Sequence, residues 1–332
     1  MDSKSRILII GCGSIGIRHI SNLMQLGYRN IIVADPDRKR LSIVNEKFKI
    51  TEAYKDYQEA LKKDIEIAFV CTPPNSHVPI ALKALRYNLH LFIEKPISNT
   101  YKDVEKLIRL AKLKKVKIAV GYNLRFSPGL ILAKKLIDSK AFGNVIFVRA
   151  EFGQSLPDWR PTLDYRKNYT ARKNMGGGIL LDGSHEVDYL RWLLGDIKEL
   201  TCVAGRLGNL EVDTESIAEL IVRFQHNVLG SIHVDFLRPV YNRHCEFICD
   251  TGIILWNFSD KEVKTFDKRT NKWKTYHIKQ DANHMYVQEV KAFLDAIRYN
   301  RTDYTDVTEG AKTLKVILEA KRSSKSGKRV VL

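Results

Sequence analysis

No apolar run among the 332 residues approaches the roughly 18 to 20 that a membrane-crossing helix requires, so no membrane partner is expected. The opening MDSKSRILIIGCG has only a short apolar stretch that runs straight into glycines, without the longer segment and cleavage site of a secretory leader; a cytoplasmic location is expected. Cysteine is sparse and badly placed for structure. The five, at 12, 71, 202, 245 and 249, never form a C-x-x-C pair, which argues against both a disulfide framework and a zinc site. Cys245 and Cys249 share one strand face, yet no histidine or acid at ligand spacing completes a site, so no metal is expected. Acid is also in short supply, 38 Asp+Glu against 55 Lys+Arg, for a net charge of +17. Such an excess suits nucleic acid, an anionic surface or an anionic small molecule, and its distribution decides between them. The bases are scattered, the densest run (Lys321 to Arg329) closes the last helix where cations complement the dipole, and no nucleic-acid-binding pattern stands beside it. No nucleic-acid partner is expected.

What is present is ordinary globular composition, 44% hydrophobic and 28% charged, in a chain longer than the ~250 to 300 residues that one core usually serves. Two domains, or one with a large extension, follow. The first 120 residues alternate short apolar runs with amphipathic segments, which predicts a doubly wound parallel sheet of Rossmann type. Strands are expected at 6–10, 31–34, 66–70, 89–93 and 117–120, and helices at about 15–26, 37–48, 56–62, 76–87 and 101–114. Thr100, with Asp103 three residues on, reads as a capping box for the last of these. Beyond residue 120 the period changes. Ser127-Pro128 opens a helix expected to run to Gly143, and period-two stretches follow at 145–152, 216–224, 228–237 and 243–249. Ala218, Leu220, Val222 and Phe224 alternate with polar residues, as do Val228, Ile232, Val234 and Phe236, so the fold class is α/β with a second, large, mostly antiparallel open sheet. Two helices at 284–299 and 306–323 close the chain. The boundary is placed at 121, giving a nucleotide-binding domain over 1–121 and a substrate-binding and oligomerisation domain over 122–332.

Gly11-Cys12-Gly13-Ser14-Ile15-Gly16 lies between the first strand and first helix, where the glycines permit a tight turn, close approach to a pyrophosphate and close helix packing. Ser14 and Ile15 begin the helix whose N-terminus favours the phosphate charge. Asp35, nineteen residues past Gly16 and at the end of the second strand, is placed to bind ribose hydroxyls. A carboxylate there repels a 2'-phosphate and favours NAD, with NADP the alternative because Arg38 and Lys39 follow. Thr72, Pro73, Asn75 and His77 stand at the end of the next strand, and Glu94, Lys95 and Pro96 at the end of the one after; that edge of an open parallel sheet is where ligands bind.

With these residues in order, the sequence resembles the glucose-fructose oxidoreductase / inositol dehydrogenase family, Gfo/Idh/MocA. The resemblance spans nearly the whole chain: the glycine loop, Thr72-Pro73-Pro74, Glu94-Lys95-Pro96, Gly121-Tyr122-Asn123 with Arg125-Phe126, and Gly176-Gly177-Gly178 followed by Asp182 and His185-Glu186-Val187-Asp188. It implies an NAD(P)-binding Rossmann domain, with Asn123 among the cofactor residues and Arg125 among the substrate residues, and an active site between the two domains. It further implies that Lys95 is catalytic, that Pro96 follows a cis peptide, that an acid and a histidine after the triple glycine complete the site, and that the open sheet face makes a homodimer or homotetramer. The mixed face carrying Ser231, His233 and Asp235 is the expected contact. Many members space the acid four residues before the histidine; here Asp182 stands three before His185, with Leu181 at the fourth place, while Asp188 keeps the family spacing.

The local chemistry agrees. Asp182 and His185, three apart in one expected helix, share a face. Histidine titrates near neutrality and suits removal of a hydroxyl proton as hydride leaves the same carbon, while Lys95 suits stabilisation of the alkoxide. Trp159-Arg160, Asp164-Tyr165-Arg166, Tyr169, Arg172 and Lys173 precede the glycines. Aromatic rings there suit sugars and guanidinium groups suit carboxylates or phosphates, so Trp159, Arg160, Tyr165 and Arg172 are candidate substrate residues alongside Lys95, Arg125, Asp182 and His185. The expected activity is hydride transfer between NAD(P) and a secondary alcohol or ketone of a sugar, cyclitol or nucleotide sugar, the substrate anionic or neutral. The alternative is a non-catalytic dinucleotide-binding regulator of the same fold, and the presence of both Lys95 and His185 tells against it.

Overall fold

The structure, a computed structural model, describes residues 5–279, 281 and 283–332. The chain divides into two compact units. The first takes the described residues up to 123 together with 283–312, and the second takes 124–281 together with 313–332.

In the first unit, strands β1 (Ile7–Ile10), β2 (Ile31–Ala34), β3 (Ala53–Tyr54), β4 (Ile67–Val70), β5 (His90–Ile93) and β6 (Ile118–Val120) form one sheet ordered β3-β2-β1-β4-β5-β6, every pair parallel. The strands are short and apolar because both faces are covered: all residues of β1, β2 and β4 are buried. Helices α1 (Ser14–Gln25), α2 (Arg38–Phe48), α3 (Tyr57–Ala60), α4 (Pro74–Ala84) and α5 (Val104–Lys114) connect them. Asp37 and Asp56 cap α2 and α3 by accepting from the Lys39 and Gln58 main-chain N–H. Two ends differ from expectation. α4 starts at Pro74, whose missing N–H costs nothing in a first turn, and α5 starts three residues late, with Asp103 left-handed (φ 60°) and making no side-chain cap, so the capping box does not form.

The closing helix α9 (His284–Tyr299) belongs to this first unit, which corrects the single boundary at 121. Its Val290, Phe293 and Leu294 join Phe69 of β4 and Phe92 of β5 in one core, and Val120 N–H bonds the Thr305 carbonyl.

The second unit opens with α6 (Pro128–Asp138), which stops five residues short of the expected Gly143 because the chain turns left-handed at Lys140 (φ 51°) and Gly143 (φ 81°). Strands β7 (Val145–Gly153), β8 (Ile197–Gly205), β9 (Ile217–Phe224), β10 (Leu229–Asp235), β11 (Asn242–Cys249), β12 (Gly252–Asn257), β13 (Glu262–Asp267), β14 (Lys272–His277) and β15 (Val330–Val331) make a sheet ordered β14-β13-β12-β11-β7-β10-β9-β8-β15, parallel only between β10 and β7. The alternation expected in β9 and β10 is observed, with Ala218, Leu220, Val222, Phe224, Ile232 and Val234 all buried. The triple glycine leads into α7 (Ile179–Asp182) and α8 (Ser184–Leu194), and α10 (Val307–Ser326) precedes β15. Among the described residues no helix is long and apolar enough to cross a membrane.

Candidate active site

In the first unit every cofactor candidate lies at the C-terminal edge of the parallel sheet. Gly11 has φ +98° and sits so tightly that a Cβ would lie 2.6 Å from the Cys71 carbonyl oxygen; at Gly16 it would lie 2.0 Å from the Gly11 oxygen. Gly13, by contrast, has nothing within 4 Å of where a Cβ would stand. The first and third glycines therefore serve packing, and the second presents open main chain at the start of α1, which fits a pyrophosphate. Ser14 is exposed and Ile15 half-buried in that first turn. Asp35 is buried just past β2, where its oxygens accept the Cys12 and Asp37 N–H groups, each at 2.8 Å. The cation that faces it is Arg40, 3.5 Å away, rather than Arg38 or Lys39; the first turn of α2 carries Arg40 back over the acid. Asp35 keeps lone pairs for ribose hydroxyls, so the residues present fit a dinucleotide.

The turns after β4 and β5 are tied together by His77. One ring nitrogen lies 2.9 Å from the Pro96 carbonyl and the other 2.6 Å from that of Thr72, and burial holds the imidazole below its ordinary pKa. His77, expected from sequence as a cofactor residue, braces these two turns, with one ring nitrogen facing each carbonyl. Ser76 reinforces the first turn through the Thr72 hydroxyl and Pro73 carbonyl. Thr72 and Pro73 are half-buried and Asn75 is exposed at the head of α4. Glu94 turns inward to His19 at 2.6 Å, Lys95 is half-buried, the Lys95-Pro96 peptide is cis as the resemblance implied, and Asn123 is buried past β6.

In the second unit the triple glycine is demanded by contacts. Gly176 and Gly178 have φ of +87° and +114°, and a Cβ on Gly177 would fall 2.2 Å from the Tyr169 carbonyl oxygen. Asp182 and His185 do not share a single helix as expected. Gly183 separates α7 from α8, and it must be glycine because a Cβ there would lie 2.9 Å from Val234 of β10. Asp182, 3% exposed, accepts the Tyr169 hydroxyl at 3.0 Å. Burial pushes the Tyr169 phenol well above its ordinary value, the Asp182 charge adds to that, and Arg160 pulls the other way. Tyr169, Asp182 and Arg160 are thus gathered together, and half-buried His185 follows Asp182 by three residues, in the first turn of α8. Tyr169 is the residue that sequence reasoning named without giving it a role; an aromatic within the polar loop before the glycines was its only signal.

Other candidates are used structurally. Arg125 gives Nε and Nη2 to the two oxygens of buried Asp188, both at 2.8 Å, and Thr313 donates to the same acid. Arg172 Nε is held by the Arg166 carbonyl, the Tyr165 hydroxyl accepts the Glu211 N–H, and Trp159 is turned onto Phe152 and Phe236, with ring centres 5.9 and 5.3 Å away. Arg125, Tyr165, Arg172 and Trp159 thus each make contacts within the unit, while the Tyr165 hydroxyl proton and the Arg172 terminal nitrogens take no part in their two bonds.

Residues 5–122 match the family profile described as oxidoreductase family, NAD-binding Rossmann fold, and residues 130–255 match the GFO/IDH/MocA C-terminal domain. A myo-inositol 2-dehydrogenase of Thermotoga maritima is 26% identical, with 98% of each chain covered. A scyllo-inositol 2-dehydrogenase (NAD(+)) of Bacillus subtilis is 24% identical, over 100% of this chain and 97% of its own. The solved structure of a levoglucosan dehydrogenase in complex with NADH superposes with a TM-score of 0.89 at 18% identity, covering 98% of both chains.

Proposed function

The chain belongs to the Gfo/Idh/MocA family of NAD-binding oxidoreductases, and from that premise we propose that it moves hydride between NAD and a secondary alcohol or ketone of a sugar, cyclitol or nucleotide sugar. The observation that carries this reading is the grouping of Gly13, Asp35 and Lys95 along one edge of the parallel sheet, in a chain that also bonds Tyr169 to Asp182 three residues before His185. Relatives matched over their full length carry inositol dehydrogenase names, which supports a polyhydroxylated substrate. Arg160 and the excess of positive charge favour an anionic one.

In this mechanism Gly13 and the start of α1 receive the pyrophosphate, and Asp35 accepts from the ribose hydroxyls. Bound NAD supplies the hydride acceptor. His185 takes the hydroxyl proton, Lys95 stabilises the oxygen as charge develops on it, and Tyr169 with Asp182 fixes the acid near the histidine. NADP stands as the second cofactor, because Arg40 would be released to a 2'-phosphate wherever Asp35 yields. A regulator without turnover is the weaker reading, since it leaves Lys95 and His185 without work.

The protein is proposed to be cytoplasmic and to assemble as a homodimer or homotetramer through the outer face of the second sheet. Ser231 and Asp235, the expected contacts, are buried within the chain, and His233 is held by Glu219 at 2.8 Å and Asp235 at 3.1 Å. The same face exposes Val203, Ile221, Leu229, Ile248 and Trp273, and these are the better contact residues. Sedimentation showing only monomer at micromolar concentration would refute the assembly. The activity is tested by following nicotinamide absorbance with inositols, sugars, uronates and nucleotide sugars; a turnover signal with one class supports the reading, and silence across all classes with bound NAD favours the regulator.

A further inference from the structure

Inside the first unit three ionisable side chains are buried together, and the mechanism above uses none of them. The His19 ring, fully buried on α1, is wedged between Phe69 and Phe92 with ring centres 5.3 and 4.9 Å away, and its Nε2 lies 2.6 Å from Glu94 Oε1. The other Glu94 oxygen accepts the Lys95 N–H at 3.3 Å. Gly121 presses on this carboxylate, since a Cβ there would lie 3.2 Å from Oε1. Glu289 arrives from α9, 4% exposed, with neither oxygen hydrogen-bonded. One polar atom from each of His19, Glu94 and Glu289 lies within 4.8 Å of the others.

Two carboxylates so close and so dry cannot both ionise cheaply. The remaining groups that face Glu289 are Arg18 on α1, stacked 4.2 Å from the Tyr286 ring, and Cys71 at the end of β4. Of these only Arg18 brings positive charge, and it is outweighed: burial first and the Glu94 charge second drive the Glu289 carboxyl well above its ordinary value. Donors settle which acid keeps the charge. Glu94 has two, the His19 imidazole and the Lys95 N–H, whereas Glu289 has none and gains most by holding a proton of its own.

We propose that Glu289 holds a proton at neutral pH, and that His19, Glu94 and Glu289 form a buried cluster that anchors the turn bearing Lys95. Glu289 is then a positioning residue acting through Glu94, and this anchoring role rests on the reading of Lys95 as catalytic. The proton itself does not.

A raised carboxyl binds in the folded state a proton that the unfolded chain releases above about pH 4.3, so it removes stability as pH climbs toward the folded value. Glu289→Gln imitates the neutral acid and does not titrate. Its melting temperature minus that of the unsubstituted protein should therefore grow steadily from about pH 5 to about pH 8. A difference that is flat or shrinks overturns the proposal, as does a rise in the melting temperature of the unsubstituted protein, absent in the variant, on adding zinc or magnesium alone. If Glu289→Gln does not fold, the infrared spectrum of the unsubstituted protein at about pH 7 decides: the carbonyl band of a protonated carboxylic acid supports the proposal and its absence defeats it. The anchoring role is read in turnover. Glu289→Gln should hold its kcat to a pH higher by roughly half a unit or more than the unsubstituted protein, because ionisation of Glu289 no longer repels Glu94; superimposable profiles refute the anchoring while the melting data still judge the proton.

Discussion

The Tyr169 hydroxyl donates to Asp182 Oδ1 at 3.0 Å, three residues before His185, and in the proposed mechanism this pair serves the histidine. The short spacing of Asp182 from His185 left Asp188 as a rival, but Asp188 is consumed by Arg125 and Thr313. Asp182→Asn and Tyr169→Phe are each expected to lower kcat by roughly tenfold to a hundredfold, with the double variant losing far less than the product because the two residues act as one unit. Steady-state kinetics of the three variants checks this; multiplicative losses would mean that the pair does not act together.

Arg125→Ala should damage stability and spare cofactor binding. The Arg125–Asp188 pair is paired at both oxygens and largely buried, so removing the arginine strands a carboxylate at a cost of about 3 to 5 kcal/mol. Denaturant unfolding should show a clear drop in midpoint with NAD affinity retained. An unchanged midpoint with a raised KM would return Arg125 to the substrate site.

The glycine loop should separate into packing and binding positions. Gly13→Val has room and should fold, yet its side chain enters the space of the pyrophosphate and NAD affinity should fall strongly. Gly16→Ala drives a Cβ into the Gly11 carbonyl and should lose folded protein instead. Calorimetry on Gly13→Val that returns the original affinity would remove the loop from the cofactor site.

Cofactor choice turns on Asp35 and Arg40, which lie 3.5 Å apart. Asp35→Ser frees Arg40 to meet a 2'-phosphate, so the ratio of NADP to NAD affinity should rise. The double variant with Arg40→Ala should give the gain back. Tighter NADP binding by the unsubstituted protein would contradict this account of the position.

Legibility in the sequence followed distance along the chain. The parallel strands and the glycine turn were readable because apolar runs and turn glycines are local signals, and β9 and β10 declared themselves by strict alternation. What was missed depends on partners far away. Phe293 enters the first core beside Phe69 and Phe92, so α9 could not be assigned to its unit from its own periodicity. The Arg125–Asp188 pair spans 63 residues and His77 reaches the Pro96 carbonyl of another turn, so neither contact was readable locally. Strands β12, β13 and β14, at one end of the second sheet, alternate more weakly in sequence, and every residue of the edge strand β14 except half-buried Tyr276 is exposed, so no buried face marked it in advance. Glu289 carried no signal at all; only burial against His19 and Glu94 makes it unusual.

The most direct test of the account is single-turnover reduction of NAD, once a substrate is in hand, in His185→Ala, Lys95→Ala and the double variant. Each single change should slow the step by about a hundred to ten thousandfold with NAD affinity little changed, and the double variant should lose much less than the product, because both residues serve one proton-transfer event. Near-normal turnover in His185→Ala would contradict the mechanism and leave only the cofactor site standing.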